Sequence, residues 1–166
     1  MGAIEVNGEL RIVPVDTTNR EPFNRLIQCY ECEFSAITEK QPTSDGVFPL
    51  DTHLDDDHKG FLAYLGETPV GFNVIALKGN GHYEVCEFFI VPLFRTRRLG
   101  YHLAAAIFDR YRGKWQVKQI AGAGNAKAFW RRAIGSYTNG AYEEDVYSDP
   151  YWGTVTRQRF SNGGEG

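Results

Sequence analysis

The residues from Phe89 to Leu103, reading Phe-Ile-Val-Pro-Leu-Phe-Arg-Thr-Arg-Arg-Leu-Gly-Tyr-His-Leu, have the types and order of an anion-binding unit. An apolar run suited to a strand stops at Pro92. A short polar stretch then carries Arg95, Arg97 and Arg98, and Gly100 opens a segment with helical apolar spacing. Backbone N–H groups at a helix start lack intrahelical partners and point at an arriving anion, and the arginines add fixed positive charge. Phosphate binding follows, with a diphosphate as the preferred ligand. The plainer alternative, a solvated basic turn, is the weaker one because the three cations are crowded together in a net-acidic chain.

Two other clusters carry weaker signals. Cys29-Tyr30-Glu31-Cys32 has redox or zinc spacing, but it falls within a helical pattern and lacks the second pair that structural zinc needs, so the cysteines are read as small residues against the core. Asp51, Asp55, Asp56 and Asp57, with His53 and His58, form no recognisable ligand pattern. They are read as a solvated acidic loop or a rim that attracts a cationic amine, and no metal is expected.

The elements that must position these groups are legible from periodicity. Leu10 to Val15 reads as a strand, and Phe23, Leu26, Ile27, Tyr30, Phe34 and Ile37 repeat at helical spacing behind a start signal at Asn19 to Pro22. Thr38 to Lys59 reads as a long surface loop. Phe61 to Leu65 and Val70 to Leu77 form a hairpin pattern, and Tyr83 to Val91 follows the Gly79-Asn80-Gly81 turn. Leu99, Leu103, Ile107 and Tyr111 mark one face of a helix that leads to a strand at Trp115 to Ile120. A strand–helix–strand crossover implies one parallel pairing in a sheet otherwise built of hairpins. Next come a helix from about Asn125 to Ile134, a terminal hairpin (Tyr142 to Tyr147, Thr154 to Phe160) and a Gly-rich tail expected to be disordered from 161 onward.

At 166 residues the chain suits one domain, expected over 1–160. A net charge of -3 and a pI near 5.8 argue against nucleic-acid or anionic-membrane partners. The N-terminus lacks signal-peptide and myristoylation patterns, so a cytoplasmic location is expected. Three cysteines without a disulfide framework agree.

Phe94-Arg95-Thr96-Arg97-Arg98-Leu99-Gly100 resembles the acyl-CoA pyrophosphate loop of the GNAT superfamily of N-acetyltransferases, whose pattern is Arg/Gln-x-x-Gly-x-Gly/Ala. Arg95 and Gly100 match it, and Arg98 stands where the first glycine is usual. Gly113-Lys114-Trp115-Gln116-Val117 and Ala128-Phe129-Trp130-Arg131-Arg132-Ala133-Ile134 are similar to a little-characterised bacterial subgroup. Tyr30 to Ser35, Asp45 to Phe48 and Pro69 to Phe72 extend the likeness over roughly 20–137.

The resemblance implies an α+β single domain, with a mostly antiparallel twisted sheet, one splayed parallel pair and flanking helices. It further implies acetyl-CoA between those strands and an enzyme acetylating an amine of a small molecule or a protein. Backbone groups of Ile90 and Val91 would hold the pantetheine and thioester. With Arg95, Thr96, Arg97, Arg98, Leu99, Gly100, Tyr101, Asn125, Phe129 and Trp130 they make up the implied cofactor site. Glu87 stands at the register of a base acting through water. Glu84 is the alternative, and strand alternation places it on the opposite face. Trp130 replaces the superfamily's general-acid tyrosine, with Tyr137 as a substitute. Asn125, two residues from the subgroup's capping position, could cap its helix or touch pantetheine. Tyr30, Phe34 and Phe48 are candidates for the acceptor pocket or the core. A homodimer is compatible with this reading. Two other functions are a non-catalytic acyl-CoA-binding module and a toxin-like acetyltransferase of aminoacyl-tRNA, the latter disfavoured by the overall acidity.

Overall fold

The computed structural model describes residues 2–6 and 9–163. Among these residues one eight-stranded sheet runs in the order β1-β2-β3-β4-β5-β6-β8-β7. Its strands are β1 (Ile4–Val6), β2 (Leu10–Pro14), β3 (His58–Leu65), β4 (Thr68–Gly79), β5 (His82–Ile90), β6 (Lys114–Ile120), β7 (Glu143–Asp149) and β8 (Gly153–Ser161). All neighbours are antiparallel except β5 and β6, as the crossover pattern requires.

Helix α1 (Arg20–Thr38) covers one face of the sheet, where Phe23 and Ile27 pack on Leu62, Phe72, Val74 and Phe89. Helices α2 (Leu99–Arg110) and α3 (Gly124–Thr138) cover the other, where Leu103, Ile107, Phe108, Trp130 and Ile134 meet Ile12, Phe61, Ile75, Trp115 and Val117. These are the apolar stripes expected from helical spacing. Asn19 takes the N-cap position of α1, but its side chain turns backward. It accepts from the Asp16 N–H (2.7 Å) and donates to the Pro14 carbonyl (2.9 Å), and so ties the helix start to the end of β2.

Several expectations are corrected. β1, three residues long, is too short for a periodic pattern to show. β3 begins at His58 because His58, Lys59 and Gly60 pair with Ala76, Ile75 and Val74. Cys29 and Cys32 lie on the solvent side of α1, not against the core. Ser161 belongs to β8, and Asn162 is held by its N–H to Gly113 O (3.0 Å) and its amide to Phe108 O (2.7 Å), so no disorder begins at 161. The rest of that expected tail, 164–166, lies outside the described residues. Among the described residues no helix is long and apolar enough to cross a membrane.

Candidate active site

β5 and β6 pair for only four residues, from His82↔Lys114 to Val85↔Val117, and then part. Beyond that point β5 remains paired with β4, and β6 with β8. The divergence opens a cavity of about 330 Å³ whose walls include Glu84, Cys86, Glu87 and Phe88 from β5, Val117 to Ile120 from β6, Tyr30 and Phe34 from α1, Trp130 from α3, and Tyr147 and Trp152 from the terminal hairpin.

A bulge decides which acids face this cavity. The β4–β5 register passes from Ile75↔Val85 to Val74↔Glu87, leaving Cys86 unpaired. The extra residue resets the alternation, so Glu84 and Glu87, expected on opposite faces, both line the cavity. Their surroundings then separate them. Glu84 is neutralised by Lys78 (3.3 Å) and Lys118 (3.2 Å) and accepts from Gln116 Nε2 (2.9 Å). Glu87 is 7 % exposed, accepts from Thr52 Oγ1 (3.0 Å) and lies beside the Tyr30 hydroxyl, and no cation pairs with it among the described residues. Burial pushes its pKa up to about 7, despite the hydrogen bonds from Tyr30 and Thr52 that favour the ionised form. Divergent environments of this kind distinguish a charge-saturated carboxylate from one poised to take a proton near neutrality.

The arginine loop is rearranged relative to expectation. Arg95 does not project freely towards a ligand. Its guanidinium is bidentate to Glu33 (2.8 and 2.7 Å), and its Nε donates to the Ile90 carbonyl (2.8 Å). It therefore fixes the loop to α1 and to the end of β5. Arg97 and Thr96 are exposed and make no hydrogen bond or ion pair with the rest of the protein among the described residues. Arg98 lies 4.8 Å over the Tyr101 ring and occupies the N-cap of α2 without a side-chain cap. The first N–H groups of α2 thus stay open to an anion. Val91 has no free donor, since its N–H is used on Val70 O (2.8 Å). Leu99 is core, and a side chain at Gly100 would meet the Phe129 ring at 3.0 Å.

Arg98 has φ 56°. This left-handed conformation is easy for the glycine usual at the position and costs an L-residue about 1–2 kcal/mol. Arg98→Gly is therefore expected to raise stability by roughly 1 kcal/mol, read by denaturant unfolding, while removing a cation beside the open helix start.

On α3, Trp130 is 4 % exposed, with its ring edge-on to Phe88 at 4.8 Å, and Phe129 stacks on Phe88 at 5.4 Å. Phe88, not singled out from the sequence, joins β5 to α3. Asn125 is exposed in the first turn and does not cap the helix, because Ala123 takes the cap position. Tyr137 is removed from the cavity: its hydroxyl donates to Asp109 (2.7 Å) and its ring packs on Phe108 and Phe160. Phe48 donates its backbone N–H to Gln28 Oε1 (2.7 Å) and accepts from Gln28 Nε2 on its carbonyl (3.0 Å), and it does not line the cavity.

A mixed sheet that splays at its one parallel pair, with an uncapped basic helix start at one strand end and a buried carboxylate in the opening, defines the acyl-CoA N-acyltransferase class. Residues 23–139 match the model of the acetyltransferase (GNAT) family, and the chain belongs to that family. Solved structures share the fold. A ribosomal L7/L12 alpha-N-protein acetyltransferase in complex with coenzyme A superposes with TM-score 0.71 at 12 % identity, over 98 % of this chain and 99 % of that one. An acetyltransferase from Thermus thermophilus gives 0.65 at 19 % identity (97 % and 99 %). The ribosomal-protein-S18-alanine N-acetyltransferase from Escherichia coli gives 0.61 at 11 % (95 % and 96 %). No curated protein matches the chain significantly.

Proposed function

We propose that this protein transfers the acetyl group of acetyl-CoA to a primary amine by direct attack in a ternary complex. The observation that carries the reading is Glu87, a buried carboxylate that no cation pairs with among the described residues, facing the cavity where β5 and β6 part. Acetyl-CoA supplies the activated thioester. The open start of α2, with Arg97 and Arg98, offers its phosphates backbone donors and positive charge. Tyr30, Phe34, Tyr147 and Trp152 give the acceptor an aromatic wall, and Glu87 and Asp149 favour an ammonium over an anion. An amine with a pKa of about 10 arrives protonated, and Glu87 accepts the proton that must leave before the nitrogen lone pair can attack.

Thiol release from acetyl-CoA across a panel of small amines and peptides tests this. One amine class should release thiol well above the rate of hydrolysis. If none does, while acetyl-CoA still binds, the chain is an acyl-CoA-binding module, the reading that Trp130 in the proton donor's place would favour. The phosphate placement has its own check. Arg97→Ala with Arg98→Ala should weaken acetyl-CoA binding about tenfold or more in calorimetry, and the loss should shrink at high salt. Unchanged affinity at low ionic strength would displace the phosphate site from this loop.

A further inference from the structure

Lys40, just beyond the left-handed C-cap Glu39 of α1, makes three hydrogen bonds with its ammonium: to Glu31 Oε2 (2.7 Å), to Asp51 Oδ2 (2.8 Å) and to the Pro49 carbonyl (3.0 Å). All three of its donors are therefore used inside the protein. Its side chain is 14 % exposed and that of Glu31 only 3 %. Carboxylate oxygens of Glu31, Asp51 and Glu87 lie within 4.8 Å of one another. Three acids so close would repel each other or take up protons unless a cation stood among them. Thr52, next in the chain after Asp51, gives its hydroxyl to Glu87. The lysine thus pins the segment that delivers this hydrogen bond.

We propose that Lys40 is a positioning residue of the active site, which clamps Glu31 and Asp51 so that Thr52 is held on Glu87 and the negative charge of those two neighbours is offset by one ammonium. The proposal rests on the function above only in treating Glu87 as the proton acceptor. Its physical content is electrostatic. The charged and titratable groups around Glu87 are Tyr30 and Glu31 from α1, Asp51 from the following segment, Glu84 and Cys86 on β5, Lys118 on β6, and Tyr147 and Asp149 from the terminal hairpin. Lys118 is engaged with Glu84. Outside this set, Lys40 is the cation that offsets Glu31 and Asp51, the two acids that push Glu87 towards its protonated form.

The signs follow. Lys40→Met leaves Glu31 and Asp51 unneutralised beside Glu87, disfavours its ionised form and moves its titration to higher pH. Asp51→Asn removes a negative charge and moves the titration lower. A role limited to packing would lower activity or stability in both variants without opposite displacements.

The test is the carboxyl carbon shift of Glu87 followed by NMR against pH, in the full chain without substrate. The midpoint should rise by about one pH unit in Lys40→Met and fall in Asp51→Asn. Lys40→Met strands the buried Glu31 charge and can unfold the protein. The paired change Lys40→Met with Glu31→Gln removes both charges together, and should fold, return the Glu87 midpoint towards the wild-type value and raise the mobility of the Thr52 methyl group in NMR relaxation. Midpoints that stay put in the single variants, or an unchanged Thr52 methyl mobility in the pair, overturn the proposal. Because no acetyl transfer is needed, the two readings fail separately. Shifted titration with no thiol release would sink the enzyme reading alone, and normal turnover with an immobile titration would sink the Lys40 assignment alone.

Discussion

Glu87→Gln is expected to lower turnover by roughly 10²- to 10⁴-fold, the usual range for loss of a general base, with little change in acetyl-CoA affinity. Thr52 Oγ1 keeps an acceptor, because the amide oxygen of glutamine can take the place of Oε1. The pH profile gives the sharper criterion. With the Glu87 pKa near 7, the wild-type rate should fall as pH drops through about 7 while Glu87 becomes protonated, and the variant should lose that limb. Stability should move in the opposite direction. A carboxyl whose native pKa is raised above its unfolded value binds more protons when folded, so stability declines between about pH 4.5 and pH 7 as the group is forced to ionise in place. The ionised form then carries a penalty of order 3 kcal/mol, which glutamine does not. Above pH 7 the variant should unfold at a higher temperature than wild type, and below about pH 4.5 the two should converge. A variant with full rate and an unchanged low-pH limb would remove Glu87 from the chemistry, and the acceptor would then have to arrive already neutral.

The fold is legible in the sequence where periodicity carries it. The apolar stripe from Phe23 through Ile27 and the crossover from β5 through α2 to β6 need only helical or alternating spacing, and both are present. Glu87 enters as a candidate through its position relative to the loop, and the structure places it in the cavity wall. Its relation to Glu84 is not, because a bulge at Cys86 inverts the alternation and no residue type announces it. Lys40 and Thr52 escape sequence reasoning for a different reason. Their significance arises from contacts with Glu31, Asp51 and Glu87 across 9 to 35 positions of chain, and nothing local marks them. Arg95 shows the same limit: its type and place fit a phosphate ligand, yet Glu33, 62 residues earlier, takes up its guanidinium.

Trp130 is where the family resemblance and the packing make different demands. Position 130 borders the cavity, so a side chain there can reach what occupies it, but the indole is also wedged among Phe88, Phe108 and Phe129. Trp130→Ala should cost about 3–5 kcal/mol of stability, the range for truncating a large buried aromatic, and should lower the thermal midpoint by several degrees or more. That loss would obscure any catalytic effect, so the informative changes are smaller. A thiol of pKa about 8.5 leaves readily as thiolate, and the uncapped start of α3 at Ala123 adds favourable positive potential near the cavity. Leaving-group protonation is therefore expected to be of small value here. Trp130→Phe should keep turnover within about tenfold while losing some packing, and Trp130→Tyr should raise turnover only modestly, since general-acid assistance is least for good leaving groups. The decisive comparison is single-turnover acetyl transfer in the two variants, with acetyl-CoA affinity and unfolding measured alongside. A collapse in Trp130→Phe with folding and affinity intact would give the indole a direct part in the reaction, and a large gain in Trp130→Tyr would show that proton delivery to the thiol limits the natural protein.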